Sequence, residues 1–265
     1  MTNPLTKQLM NPARHIWMLV FVGLVAGFLS GIFGVGGGIL VVPGLTIFVR
    51  MDQRLAHGTS LAAIVPIALA SLITYWGHQH VDWPVALWLS CGAIVGSIVG
   101  TQLLAVTSKR ALALIFASVL IISAIRLFIA TQGDGRDNLN LSIILALIAV
   151  GFAAGALAGL LGVGGGIVLV PAMIVLFGIS SVIAKGTSIA VIVPTAIMGT
   201  IRNRSAKNVD LSAAMIIGCA GIVSAIAGGF VSALLTDTAS NVLFAILLVV
   251  VAIRIIFQQL RVSAS

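Results

Sequence analysis

The chain has 265 residues, of which 60% are hydrophobic and 8% charged, and its mean hydropathy is +1.23. No water-soluble globular domain sustains that composition, so a soluble enzyme is excluded and a polytopic membrane protein is indicated. The net charge of +8 comes from fourteen Lys and Arg that fall mostly between apolar runs, where basic residues orient a membrane protein and do not point to nucleic acid.

Lys7 and Arg14 precede an apolar stretch from Ile16, the outline of a signal peptide. The stretch runs on into glycine-rich apolar sequence with no polar mature start, so it reads as the first membrane helix. Five apolar segments follow one another in the first half, about 15 to 33, 38 to 49, 55 to 76, 83 to 106 and 111 to 130, and the same five recur 128 residues later. The equivalence runs without a gap from Gly23/Gly151 through Pro43/Pro171, Pro66/Pro194 and Asp82/Asp210 to Arg126/Arg254. Such self-similarity marks a duplication, a common origin of transporters, with one membrane repeat over 1–132 and a second over 133–265.

The first segment carries Gly23, Gly27 and Gly31 at intervals of four, matched by Gly151, Gly155 and Gly159, and the fourth carries Gly92, Gly96 and Gly100. Stripes of this kind let helix backbones approach, and packing is their expected role. Cys91 and Cys219 lie within apolar runs and read as small packing residues. No CxxC and no His/Cys cluster occurs, so neither a metal nor a cofactor is expected. Trp17, Trp76 and Trp83 lie at segment ends and suit the membrane interface. His78 and His80, on the link between the third and fourth segments, read as solvated.

The second segment decides the topology. Twelve residues at about 1.5 Å each span only about 18 Å, short of a hydrocarbon core of about 30 Å. If it completes a crossing behind a glycine loop that dips into the membrane, each half has five crossings and the repeats are inverted. If it returns to its own side, each half has four and the repeats are parallel. With ten crossings and a cytoplasmic N-terminus, Lys7, Arg14, Arg50, Arg54, Lys109, Arg110, Arg202, Arg204, Lys207 and Arg261 are inside, and Arg136 and Lys185 outside. With eight, Arg50, Arg54, Lys109 and Arg110 join Lys185 outside. Ten against two fits the positive-inside rule better than seven against five, which favours the inverted arrangement.

Two motifs could carry chemistry. The run Gly34-Val35-Gly36-Gly37-Gly38, continuing to Pro43, recurs as Gly162-Val163-Gly164-Gly165-Gly166, continuing to Pro171. Irregular backbone at membrane depth is tolerated only where it is buried in protein or lines a cavity. Glycines can turn their N–H groups toward one point, and the half-helix that follows adds the positive end of its dipole, a combination that favours an anion. The missing Gly-Lys-Ser/Thr ending excludes a P-loop. The third segment opens with His57-Gly58-Thr59-Ser60 in one half and Lys185-Gly186-Thr187-Ser188 in the other, each a basic residue ahead of two hydroxyls. Such a set can hold an oxyanion, or it can cap a helix with Lys185 as an interfacial charge; its duplication favours the site. The candidate substrate-binding residues are therefore Gly36, Gly37, Gly38, His57, Gly58, Thr59 and Ser60 with Gly164, Gly165, Gly166, Lys185, Gly186, Thr187 and Ser188. The six acids, Asp52, Asp82, Asp134, Asp137, Asp210 and Asp237, all lie in links or at segment ends, so a cation site lacks its usual parts.

The doubled pattern, Gly31 to Pro43 with His57 to Ser60 and Gly159 to Pro171 with Lys185 to Ser188, resembles the TauE/SafE family of sulfite and organosulfonate exporters across essentially the whole chain. The resemblance implies membrane transport of a small sulfur-containing anion. The expectation is an all-helical, non-enzymatic secondary carrier in the cell membrane, with its site at the midplane between the two glycine loops. An anion channel and a membrane scaffold subunit are the alternatives. His57 is the expected proton carrier if transport is coupled.

Overall fold

The computed structural model describes residues 12–106, 114, 117–118, 120–125 and 139–263, and every regular element among them is an α-helix. In chain order these are α1 (Pro12–Phe33), α2 (Gly38–Ile47), α3 (Gln53–Gly77), α4 (Trp83–Val106), α5 (Leu141–Leu161), α6 (Gly166–Phe177), α7 (Ser181–Ser205), α8 (Leu211–Leu234) and α9 (Asp237–Ser263). The fifth predicted segment lies mostly outside the described residues, and those of its residues that are described are helical. Lys7, Lys109, Arg110, Arg126, Asp134, Arg136 and Asp137 also lie outside them.

Six helices, α1, α3, α4, α5, α7 and α8, are long and apolar enough to cross a membrane. The chain is a multi-pass membrane protein. The acids that the sequence places at segment ends work as caps: Asp52, Asp82 and Asp210 accept from the backbone N–H groups of Arg54, Val85 and Ala213, satisfying donors a helix start leaves open.

The half-helices α2 and α6, of 10 and 12 residues, fold back along the helices before them. A Cβ on Gly37 would meet the Ala26 carbonyl and one on Gly44 the Val22 side chain, so α2 runs antiparallel to α1 and back toward its start. In the second half Gly165 faces Ala154 in the same way.

The glycine stripes join one half to the other. Gly23, Gly27 and Gly31 of α1 press on the carbonyls of Ile217, Gly221 and Ala225 in α8, while Gly92, Gly96 and Gly100 of α4 press on those of Ile148, Phe152 and Ala156 in α5. Gly151 and Gly155 reciprocate against Leu89 and Ala93. A Cβ at Gly27 would lie 2.2 Å from the Gly221 oxygen, so only hydrogen fits at these crossings. Packing is thus the role of the stripes, as expected, but the partner lies in the opposite repeat. Cys91 and Cys219 differ from expectation: both are exposed on the outer surfaces of α4 and α8, the faces a bilayer would cover.

Candidate functional site

The two glycine loops meet at the centre of the molecule. Gly34, Gly36 and Gly37 have φ of 69°, 78° and 75°, and Gly162, Gly164 and Gly165 have 67°, 85° and 80°. Residues with a Cβ rarely adopt this left-handed region, which accounts for glycine at these turns. Gly38 and Gly166 then open α2 and α6. Each start is packed on the other loop, because a Cβ on Gly38 would meet Val163 Cα at 2.7 Å and one on Gly166 would meet Val35 Cα at 2.7 Å. Neither half-helix has a side-chain cap, so two positive dipole ends converge here with their first N–H groups unclaimed by side chains.

Between them stand Ile64 of α3 and Ile192 of α7, both fully buried. They touch the places where side chains on Gly36, Gly38, Gly164 and Gly166 would project. The predicted site residues of the loops are therefore brought together, around a pair of apolar side chains that fill the space between them. These two isoleucines escaped the sequence reading because an isoleucine in an apolar run carries no signal. Their spacing does: Ser60 and Ile64 follow His57 at helical intervals of three and seven, which places all three along one side of α3, and Ile192 repeats this after Lys185.

The two basic motifs stand behind the loops, each beside the loop of the other repeat. The Lys185 backbone lies against Gly34 and the His57 backbone against Gly162. Both side chains are buried, Lys185 at 0% exposure and His57 at 3%. Lys185 Nζ donates to Ser240 Oγ of α9, and Ser181 Oγ donates to Asn241 Oδ1 at 2.6 Å. Neither Ser240 nor Asn241 was singled out from the sequence, although two adjacent polar residues in an apolar helix are a readable signal. Among the described residues, the buried His57 ring faces the Leu161 carbonyl without a well-formed hydrogen bond at either nitrogen.

The hydroxyls of the two motifs are used differently. Asp82 N–H donates to Thr187 Oγ1 and Asp210 N–H to Thr59 Oγ1, each at 2.9 Å, so the two threonines tie the motif of one repeat to the link of the other. Gly58 and Gly186 let those links approach, since Cβ atoms there would lie 2.0 Å from the carbonyls of Asn208 and His80. Ser60 Oγ donates to the Gly162 carbonyl at 2.8 Å. Ser188 Oγ, its equivalent, is buried with no partner among the described residues. Leaving a buried polar atom unpaired costs on the order of 1–3 kcal/mol, so Ser188 is poised for a partner that enters from elsewhere. Among the described residues no group of His, Cys, Asp or Glu could hold a metal ion.

A helical bundle with a short half-helix in each half, the two half-helix starts opposed at its centre, has the architecture of a membrane transporter. Its particular kin are set by sequence: the chain belongs to the TauE/SafE sulfite exporter family, whose pattern matches residues 19–180 and again 147–264. The second match begins 128 residues after the first, the spacing of the internal repeat. It is similar to the "Probable membrane transporter protein YunE" of Bacillus subtilis, 27% identical over 217 residues, covering 73% of this chain and 80% of that one. A "Probable membrane transporter protein" of Xylella fastidiosa is 35% identical over 126 residues, 47% of this chain and 48% of that one. YdhB of Bacillus subtilis, of the same description, is 28% identical over 188 residues, 69% and 77% of the two chains. No solved structure matches the chain.

Proposed function

We propose that this transporter moves a small sulfur-containing oxyanion, sulfite or an organosulfonate, out of the cell, and that the anion binds where the glycine loops meet. The observation that carries the reading is the convergence of two uncapped half-helix starts on one buried point, flanked by His57 and Lys185. Two dipole ends and a buried lysine favour negative charge, and the described helices offer no internal carboxylate to favour a cation. Binding then requires Ile64 and Ile192 to part, which makes the filled centre an occluded state. Expulsion of an anion from an inside-negative cell is favoured by about 2.3 kcal/mol per charge per 100 mV, so export needs no coupling ion.

The inverted arrangement of repeats 1–132 and 133–265 with a cytoplasmic N-terminus belongs to the same proposal. It is supported by which links lie together. Arg54 and Gln102 share a cavity with Arg202 and Asn208, and the 80–82 link lies against residues 186–187. Five crossings per half put each of these sets on one side of the membrane, whereas four would put Arg54 and Arg202 on opposite sides. Reporters fused after Arg54 and after Arg110 should both be cytoplasmic.

The test of function is sulfite flux in proteoliposomes of the purified protein. Saturable flux that reverses with the gradient is the expected result. Flux that never saturates means a channel, and no flux of any sulfur oxyanion means a scaffold.

A further inference from the structure

The equivalent regions at the two ends of the molecule are built differently. At the end bearing Arg202 a cavity of about 350 Å³ opens between the C-terminal ends of α4 and α7 and the start of α3. Arg54, Thr101, Gln102, Arg202, Asn203 and Asn208 line it, a set with two guanidinium groups and no carboxylate among the described residues. At the other end the equivalents of Arg54 and Arg202 are Val182 and Thr74, which carry no charge. There the space is filled. Gly229, the equivalent of Thr101, presses on the Thr74 side chain, and Phe230, the equivalent of Gln102, packs edge-on against His78. Tyr75, the equivalent of Asn203, donates its hydroxyl to the Gly31 carbonyl at 2.8 Å and lies 3.0 Å from the Ser232 hydroxyl.

The floor of the cavity leads to the site. Asn203 is buried at its base, with its Nδ2 turned to the Gly199 carbonyl. The Asn203 Cβ and the Asn208 carbonyl are the atoms that crowd Gly58, the residue next to His57. An anion held by Arg202 is therefore separated from His57 by this wall. The volume is several times the roughly 30 Å³ share of a liquid water, so a small oxyanion fits with part of its hydration shell.

We propose that this cavity is a second, outer binding site for the transported oxyanion, a loading vestibule in which Arg202, assisted by Arg54 and the neighbouring amides, holds the hydrated anion before the Asn203–Asn208 wall opens toward His57. The inference rests on the transport reading above and assigns the described conformation one accessible end, the basic one. Guanidinium groups suit the role because they present several donors in a fixed fork to a tetrahedral or pyramidal oxyanion and are less tightly hydrated than ammonium.

Sulfite binding to the purified protein, measured by isothermal titration at low and at high salt, tests it apart from transport. The wild type should bind sulfite with an affinity that falls with salt, as exposed charges require. Arg202→Ala should weaken that binding about tenfold at low salt and flatten its salt dependence, and Arg202→Lys should recover part of both. In proteoliposomes the same variant should raise the half-saturating sulfite concentration at the basic end and leave the maximal rate near that of the wild type. Binding by Arg202→Ala within twofold of the wild type overturns the vestibule, as does absence of sulfite binding to the wild type. Loss of wild-type flux with binding retained refutes the transport reading instead.

Discussion

His57 and Lys185 occupy equivalent positions, yet their surroundings are mirror opposites in what they satisfy. Around Lys185 the base is paired, with Ser240, and the hydroxyl three residues later, Ser188, is not. Around His57 the hydroxyl is paired, Ser60 with Gly162, and the ring faces the Leu161 carbonyl without a well-formed hydrogen bond among the described residues. A duplicated sequence has thus kept one geometry and divided the chemistry. An amine held by a hydroxyl stands on one side and an imidazole on the other. Part of the cause is visible in α9, whose Ser240 and Asn241 have Leu112 and Ala113 as equivalents, residues without hydrogen-bonding side chains.

The largest effects should come from the loops, where the halves are most alike. Gly37→Val should abolish sulfite flux while the protein still inserts, because its φ of 75° excludes a branched side chain and the new Cβ would meet the Ala26 carbonyl at 2.6 Å. Gly165→Ala has more room, 3.1 Å to the Ala154 carbonyl, and should retain part of the flux. Equal loss in the two variants would mean that backbone conformation, not space, sets the tolerance.

The basic residues come next and should separate in kind. Lys185→Ala removes a charge-assisted hydrogen bond and should weaken sulfite binding by about 1.5–3 kcal/mol, roughly ten- to a hundred-fold. His57→Ala should act mainly on the pH profile of transport, which should become flatter than that of the wild type. A Lys185→Ala protein that binds sulfite like the wild type would reduce this lysine to a structural partner of Ser240.

The smallest and most equal effects belong to the threonine ties. Thr59→Val and Thr187→Val each leave one backbone N–H, of Asp210 or Asp82, without its partner and should each cost about 1–2 kcal/mol of stability, read as similar drops in Tm. Unequal drops would show that the two links are not equivalent under load.

Much of this was legible in the sequence. The six long helices and the two half-helices begin and end within a few residues of the apolar segments, because apolar runs bounded by Asp, Asn and Gly report the limits of helices in lipid. What the sequence could not convey is partnership. An offset of 128 residues says that Gly34 and Gly162 are alike, but symmetry is equally satisfied whether each loop packs on its own basic motif or on the other one. The structure makes the crossed choice, with Gly34 on Lys185 and Gly162 on His57. The apolar plug was hidden for a different reason: Ile64 and Ile192 are ordinary membrane residues until the loops that enclose them are placed.

The glycine seam between α1 and α8 has a consequence for how the protein is made. Gly27 emerges from the ribosome roughly 190 residues before Gly221, whose carbonyl it will touch. At about 5–20 residues per second that interval is on the order of 10–40 s. Throughout it the small-residue face of α1 is in the bilayer without the helix it is shaped for, and lipid or an insertion factor must cover it. The seam between α4 and α5 closes much sooner, since Gly96 and Phe152 are separated by fewer than about 60 residues. Assembly of the nascent chain therefore has a set order, with the middle of the sequence zipped first and its two ends joined last.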